Sequence, residues 1–316
     1  MKKFLLILIP LIIIVGYITR EQLKQNAGIP DTGLGDTSAM TATSSTATAD
    51  IAATDAIPAP SISILPAEIL QGDPAEIVVN ATSSVVSLTY NGKPLNTFDQ
   101  NGKASAVVGI DLKAPSGSYP VVAKLSDGTT LRTNLVVGKR VIAVAPLGIP
   151  ASLGGNTVQA ANNLVTQLAK DNVVLNSVPT VMQKLWSGKF GYPVADPVVT
   201  DTYGYTRDTV NTTISHKGTD FHAPPGTPVM AMNSGTVRIA QFFTAYGNTV
   251  VIDHGFGIQT LYMHMSELDV KVGDTVTKGQ VIGKSGETGY AEGPHLHISV
   301  KIGGISIDPE KFLKLF

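Results

Sequence analysis

Five side chains in the C-terminal third have the types and spacing for metal-assisted hydrolysis. They are His216 and Asp220 in HKGTD, His264 in LYMHMS, and His295 with His297 in GPHLHIS. The whole chain has six histidines, so four of them fall in three short stretches. Imidazole nitrogens and carboxylate oxygens are the donors that hold Zn²⁺. Two imidazoles and one carboxylate leave the fourth tetrahedral position open, as a catalytic rather than a structural site requires. The chain has no cysteine, which excludes a thiolate site. An ion held this way lowers the pKa of a coordinated water to about 7. The two remaining histidines would orient that water and stabilise a developing oxyanion.

The elements that must carry these residues are legible in part. From His295 to Ile302 the odd positions are His295, His297, Ser299 and Lys301, and the even ones are Leu296, Ile298, Val300 and Ile302. That alternation predicts a strand with one core face and one face bearing both imidazoles about 7 Å apart at their bases. In Gln259 to Ser266 the same pattern sets Leu261, Met263 and Met265 on one face and Thr260, Tyr262, His264 and Ser266 on the other. A second strand therefore offers a third imidazole to a polar face. His216 and Asp220 have helical spacing, but Gly218, Pro224 and Pro225 argue against a helix. An extended strand would part them by about 13 Å, too far for one ion. The segment must bend, and Gly218 is the residue that permits it.

The stretches HKGTDFHAPPGTPVMAMNSGTV, YGNTVVIDHGFGIQTLYMHMS, VGDTVTKGQVIGKSGETG and GPHLHIS, in order over about residues 200 to 308, resemble the M23 zinc peptidases of lysostaphin type. The resemblance implies that His216, Asp220 and His297 bind Zn²⁺ and that His264 and His295 are the catalytic histidines. It also implies a small antiparallel β fold with a long groove, and cleavage of peptidoglycan peptides. Ala245 stands where a glycine is frequent, and Ile298 and Ser299 replace the usual aromatic and acidic residues after HLH. Tyr203, Gly204, Tyr205 and Arg207 resemble the entry of many such domains and are expected to frame the groove. Any one histidine on a strand is more often structural than a ligand, but three polar-face placements together with HxxxD are poorly explained that way. His222 and His254 match no motif position and are expected at the rim and in a structural hydrogen bond. Asn211, five residues before His216, is a candidate for filling the open metal position in a latent form, with a turn role as the simpler reading.

The rest of the chain is expected to deliver this domain, and the fold class as a whole is mainly β. The net charge of −1, with 15% charged residues, gives no nucleic-acid footprint. Residues 1–22 read as a signal anchor or signal peptide: Lys2 and Lys3 precede an apolar run from Phe4 to Val15, and no small-x-small cleavage site follows. An uncleaved anchor would keep the lysines cytoplasmic and place the rest in the cell envelope outside the membrane. Residues 23–60 are expected to be a disordered linker, since Asp31 to Pro60 is almost wholly Asp, Thr, Gly, Ser and Ala.

Residues 61–140 carry short strand patterns, Glu76–Val79, Val85–Tyr90, Ala104–Ile110, Tyr119–Leu125 and Leu131–Val137. They are punctuated by Asn91-Gly92, Asn101-Gly102, Ser116-Gly117 and Asp127-Gly128. An immunoglobulin-like sandwich fits them, acting as a spacer or binding wall or glycan. Residues 141–198 form a helical connector, with a helix capped by Asn156 and striped by Val158, Ala161, Val165 and Leu168, a short turn over Val181 to Trp186, and Trp186 as a packing anchor. The peptidase domain occupies 199–316.

Two other readings compete with a peptidase. A non-enzymatic regulator would keep this fold to bind a wall hydrolase or wall ligand, but such proteins usually lose ligands. A lipoyl- or biotinyl-like carrier is prompted by VGDTVTKGQVIGKSG and VMAMNSGTV, but Met232 and Asn233 stand where its attachment lysine belongs. Neither GxSxG nor HExxH occurs. The sequence carries no indication of oligomeric state or of which peptide bond is cut.

Overall fold

The computed structural model describes residues 58–145, 148–208 and 213–316. The expected signal anchor, nearly all of the expected linker, and Asn211 lie outside these residues. No helix among the described residues is long and apolar enough to cross a membrane.

The N-terminal β region holds β1 (Ser61–Leu65), β2 (Ile69–Leu70), β3 (Pro74–Asn80), β4 (Val85–Tyr90), β5 (Lys93–Leu95), β6 (Phe98–Gln100), β7 (Lys103–Gly109), β8 (Gly117–Leu125) and β9 (Thr130–Gly138). They form two sheets, ordered β1-β3-β7-β6 and β2-β9-β8-β4-β5. Alternate residues of both, among them Ile77, Val79, Ala106, Leu88, Val121 and Leu135, share one core. All five expected strands are present, with ends shifted by two residues at most. Asn91-Gly92 and Asn101-Gly102 have positive φ at both positions (49° and 74°; 55° and 76°), the geometry that makes Asn-Gly a tight hairpin turn.

The connector contains β10 (Val144–Ala145) and α1 (Val158–Asn176). The cap of α1 is Thr157, not Asn156. Thr157 accepts a hydrogen bond from Ala160 N, while Asn156 turns back to accept one from Ile149 N. The buried stripe also differs, running through Ala160, Ala161, Leu164, Asp171 and Leu175 and leaving Val158 exposed. Trp186 is buried as expected, edge-on to Phe98 at 5.1 Å and to Phe256 at 6.4 Å.

The C-terminal region contains β11 (Val199–Asp201), β12 (Thr206–Asp208), β13 (Thr213–Ser215), β14 (Thr219–Phe221), β15 (Pro228–Met230), β16 (Gly235–Phe243), β17 (Gly247–Gly255), β18 (Ile258–Leu268), β19 (Thr275–Val276), β20 (Val281–Ser285), β21 (Leu296–Ile302), β22 (Ile305–Ile307) and α2 (Pro309–Leu315). One antiparallel sheet runs β11-β14-β21-β18-β17-β16-β19, with β15, β20 and β22 paired to its side. Leu296, Ile298, Val300 and Ile302 all enter its core, as their alternation predicted. Val181 to Trp186 is not a helical turn. It lies along the end of β17, where Leu185 N donates to His254 O and Asp253 receives Thr180 Oγ1 and Val181 N. The buried carboxylate of Asp253 thus supplies what the chain would otherwise satisfy by coiling.

The two β regions share a core. Phe98 of β6 and Val107 of β7 pack with Trp186, Ile302, Ile307 and Phe312. Beside them Arg140 bridges Asp73 at 2.5 Å and Asp308 at 3.1 Å, and Asp308 also caps α2. On the opposite flank Leu175 of α1 packs with Phe243, Leu261 and Met263. Lys301, 5% exposed, donates to Leu175 O and to Asn176 Oδ1, satisfying the end of α1. Burial, helped by the charge of Lys217, pulls the Lys301 ammonium down to about 8. Below that pH the folded and unfolded chains are both charged and the burial cost is felt in full. From about 8 to 10 only the unfolded chain still holds the proton, so stability rises with pH in that window, by at most about 3 kcal/mol. Urea unfolding at pH 7.5 and pH 10 should show that rise, and Lys301→Met should remove it.

Candidate metal centre and cleft

Antiparallel pairing sets Asp220 of β14 directly beside His297 of β21. His216, in the bend between β13 and β14, folds back onto both. Its Nε2 lies 3.1 Å from Asp220 Oδ1 and 3.1 Å from His297 Nδ1, and the latter two atoms are 2.8 Å apart. Three donors bound to one ion at about 2.0–2.1 Å with tetrahedral angles lie about 3.3 Å apart, so the set fits a metal with little adjustment. It is also the one such group among the described residues.

Gly218 enables the bend for a reason other than backbone freedom. Its φ is not in the left-handed region, but a Cβ there would lie 2.3 Å from His297 Nε2 and 2.4 Å from Ile298 O. The chain passes too close to β21 for any side chain.

Partners on the far side of each ring fix which nitrogen faces the site. A carbonyl only accepts, so His216 Nδ1–H donates to Thr202 O at 2.9 Å, His264 Nδ1–H to Thr288 O at 2.7 Å, and His295 Nδ1–H to Gly293 O at 2.8 Å. Each therefore keeps its Nε2 lone pair for the centre. His297 is reversed. Ser299 donates to Lys217 O at 2.9 Å and accepts from His297 Nε2–H at 3.0 Å, leaving His297 Nδ1 for the site. Ser299 thereby fixes the His297 ring, a role that its place in the sequence, noted only as a departure from the family pattern, does not reveal.

His264 reaches this face by breaking its strand's alternation. The register places Leu261 and Met263 beside Ser299 and His297, and Tyr262 beside Ile298. Tyr262 is therefore core, not a companion of His264 on a polar face. At His264 φ is +61°, and the pairing with β17 slips between Tyr262 and Met265. This bulge aims His264 outward and returns Met265 to the core beside Tyr262. The His264 and His295 rings then lie 4.8 Å apart, and His295 Nε2 is 3.9 Å from Asp220 Oδ2.

Burial first, then the neighbouring His295 and His297, lower the His264 imidazole to about 3, so it is a neutral ring. Burial also lowers His297, outweighing Asp220. Burial opposes ionisation of Asp220, but the charge and hydrogen bonds of His297 and His216 outweigh it and hold the carboxyl well below its ordinary value. At His216 burial is likewise overcome, here by the Asp220 hydrogen bond and charge, and the ring is raised.

The five residues open onto a cleft of about 600 Å³. One wall is α1, through Leu164, Val165, Leu168 and Asn172, and Lys113 reaches it from the N-terminal β region. Asp171 of α1, 6% exposed, accepts from Ala245 N at 2.8 Å, and Tyr246 O accepts from His264 N at 2.9 Å. The helix thereby braces the loop that holds His264 in its unusual conformation. Tyr205 lies against His216 with ring centres 4.7 Å apart, and Arg207 stacks on Tyr205 and pairs with Glu292. Tyr203 does not frame the cleft. It is buried at the junction of the β regions, under Arg140 and donating to Ser306 O. His222 is exposed, and His254 is fully buried between Ser234 O and Thr260 Oγ1, as their lack of motif positions suggested.

An antiparallel sheet presenting this donor set with two further imidazoles over a cleft has the arrangement of a metallopeptidase domain. Residues 214–309 match the sequence model of Peptidase family M23, so this span of the chain is an M23 domain. An uncharacterized metalloprotease of Haemophilus influenzae is 46% identical over 95 residues, 30% of this chain and 20% of the relative. The peptidoglycan DD-endopeptidase ShyA of Vibrio cholerae is 44% identical over 96 residues, 30% of this chain and 22% of the relative. A crystal structure from Pseudomonas aeruginosa, carried as an M23 peptidase by name alone, superposes with TM-score 0.56 at 25% identity. It covers 78% of this chain and 95% of its own, more than the family-matched span can supply. The chain spans about a fifth of the length of these two curated relatives.

Removing the Ser299 hydroxyl frees the His297 ring to choose the other tautomer. Ser299→Ala should weaken metal affinity about 10- to 100-fold, measured by competition with a chelating dye, with little change in thermal stability of the metal-free chain.

Proposed function

We propose that the chain is a zinc-dependent endopeptidase that cleaves peptide stems or cross-bridges of peptidoglycan in the cell envelope. The observation that carries this is the convergence of His216 Nε2, Asp220 Oδ1 and His297 Nδ1 within 3.1 Å of one another, with His264 and His295 beside them. It is supported by relatives named as peptidoglycan DD-endopeptidases. His216, Asp220 and His297 would hold the ion. Zinc bound there supplies Lewis acidity that polarises a scissile carbonyl and acidifies water. His264 and His295, each with Nδ1–H tied to a backbone carbonyl and Nε2 turned to the site, would accept a proton from the attacking water and return it to the departing amine. Water oxygen joins the carbonyl carbon, the C–N bond breaks, and the amine leaves protonated. Retention of all five side chains supports an enzyme over a binding-only regulator.

We also keep the division into 61–140 as an immunoglobulin-like sandwich, 141–198 as connector and 199–316 as peptidase. The cluster around Ile77, Leu88, Val121 and Leu135, drawn from residues 61–140 alone, supports it, although Phe98 and Val107 join the C-terminal core. Membrane attachment through residues 1–22 belongs to the same proposal and rests on their sequence.

Digestion of purified sacculi of known chemistry by the full chain, with products read by mass spectrometry, tests this. Muropeptides should appear and a chelator should stop their release. His264→Ala should keep one metal ion per chain and lose at least about 100-fold in rate. A metal-loaded chain that releases nothing from any sacculus would favour the regulator.

A further inference from the structure

Helix α1 lies outside the span matched by the family, yet it forms one wall of the cleft that holds the metal centre. Its residues divide by depth. Ala160, Ala161, Leu164, Asp171 and Leu175 are buried, whereas Val165, Leu168 and Asn172 are half-buried and line the cleft. Spacings of three and four keep those three on one side of the helix. Leu168 packs on the same apolar cluster as Ile214, Tyr246 and Tyr290, and all four are half-buried residues of the cleft lining. Together they present an apolar patch inside a cleft of about 600 Å³, a volume that admits a short stretch of peptide.

The patch borders the reacting groups on two sides. Ile214 is two residues before His216, and Tyr246 O holds His264 N at 2.9 Å. The helix is also fixed relative to them, because Asp171 accepts from Ala245 N at 2.8 Å and Asn172 Oδ1 accepts from Tyr246 Oη at 3.2 Å. A wall tied to the loop that holds His264 keeps a side chain resting on it at a set distance from the bond being cut, which is what selection during reaction requires. The charged part of the lining is compatible with this. Among the described residues its carboxylates are Asp201, Asp220 and Glu292. Asp220 belongs to the metal centre, and Arg207 lies 3.8 Å from Asp201 and 3.4 Å from Glu292. The exposed ammonium groups of Lys113 and Lys217 remain, so the cleft suits a peptide that carries negative charge beside an apolar side chain.

We propose that α1 is the specificity wall of the cleft, with Val165 and Leu168 receiving an apolar side chain of an acidic peptide substrate at a residue close to the bond that is cut. The proposal rests on the peptidase reading of the same cleft and assigns selectivity to residues outside the family-matched span.

The probes are a soluble cross-linked pair of peptidoglycan stem peptides and analogues in which one alanine at a time is replaced by serine. Binding is measured by calorimetric titration of the full chain carrying His264→Ala, and turnover with the native chain. For at least one position the serine analogue should bind about tenfold more weakly than its parent. Val165→Thr and Leu168→Asn, each added to the His264→Ala chain, should reduce that preference to about twofold or less without changing metal affinity. In the otherwise native chain their effect on the parent peptide should fall on KM more than on kcat. If Leu168→Asn loses its fold by circular dichroism, Val165→Thr reads out the same change of preference. A helix that only braces the His264 loop would lower kcat or metal affinity for parent and analogues alike, and that result would overturn the proposal. So would the absence of binding, or a preference that survives both variants. Selective binding with no cleavage by the native chain would count against the peptidase reading alone, and cleavage without any α1-dependent preference against this proposal alone.

Discussion

Three electron-rich atoms about 3 Å apart, two imidazole nitrogens and a carboxylate oxygen, are stable together only with positive charge among them. Much of the C-terminal sheet follows from bringing them there. Asp220 and His297 meet because β14 and β21 are antiparallel neighbours in one register, and a slip by a single residue would send one of them into the core. His216 completes the set because the chain turns so tightly over β21 that only Gly218 fits. The core face of β21, buried from Leu296 to Ile302, then holds that register in place.

Around this centre the protein relies on backbone carbonyls and one hydroxyl rather than acidic side chains. Thr202, Thr288 and Gly293 each turn a carbonyl toward a ring Nδ1, and Ser299 passes the demand of His297 on to Lys217 O. None of these adds charge, so the orientation of the imidazoles is set without altering the charge balance at the centre. The bulge at His264 is the strained part of the design, and it is held from two directions, by Thr288 on the ring and by Tyr246 on the backbone. Because Asp171 of α1 anchors the loop containing Tyr246, a helix outside the family-matched span helps to hold His264 in place.

The residues of the candidate site were legible because their side-chain chemistry is rare and its spacing unusual in a chain with six histidines and no cysteine. The strands of both β regions were legible from alternation and Asn-Gly turns. What was hidden shares one cause, since every residue carries a carbonyl and no sequence says which carbonyl will face a ring. Alternation likewise cannot reveal that His264 sits on a bulge, so it sets Tyr262 on the wrong face. Val181 to Trp186 departs from the expected turn because a buried carboxylate far along the chain, Asp253, binds Thr180 and Val181 at its start, which no local pattern shows. Ser299, a departure from the usual acidic residue, accepts the His297 Nε2–H that such a residue would otherwise take.

The shared packing of Phe98, Val107, Trp186, Phe256 and Ile307 has a consequence for how this molecule can be dissected. The span matched by the family, 214–309, is less than a third of the chain, yet it is not a module that can be lifted out cleanly. Severing the chain near residue 140 would strip Phe98 from Trp186 and Phe256, bare the apolar end of β22, and leave Asp308 without its guanidinium partner. A truncated fragment would carry a sticky scar where the intact chain has interior, and its solubility would report on that scar as much as on the chemistry of its histidines.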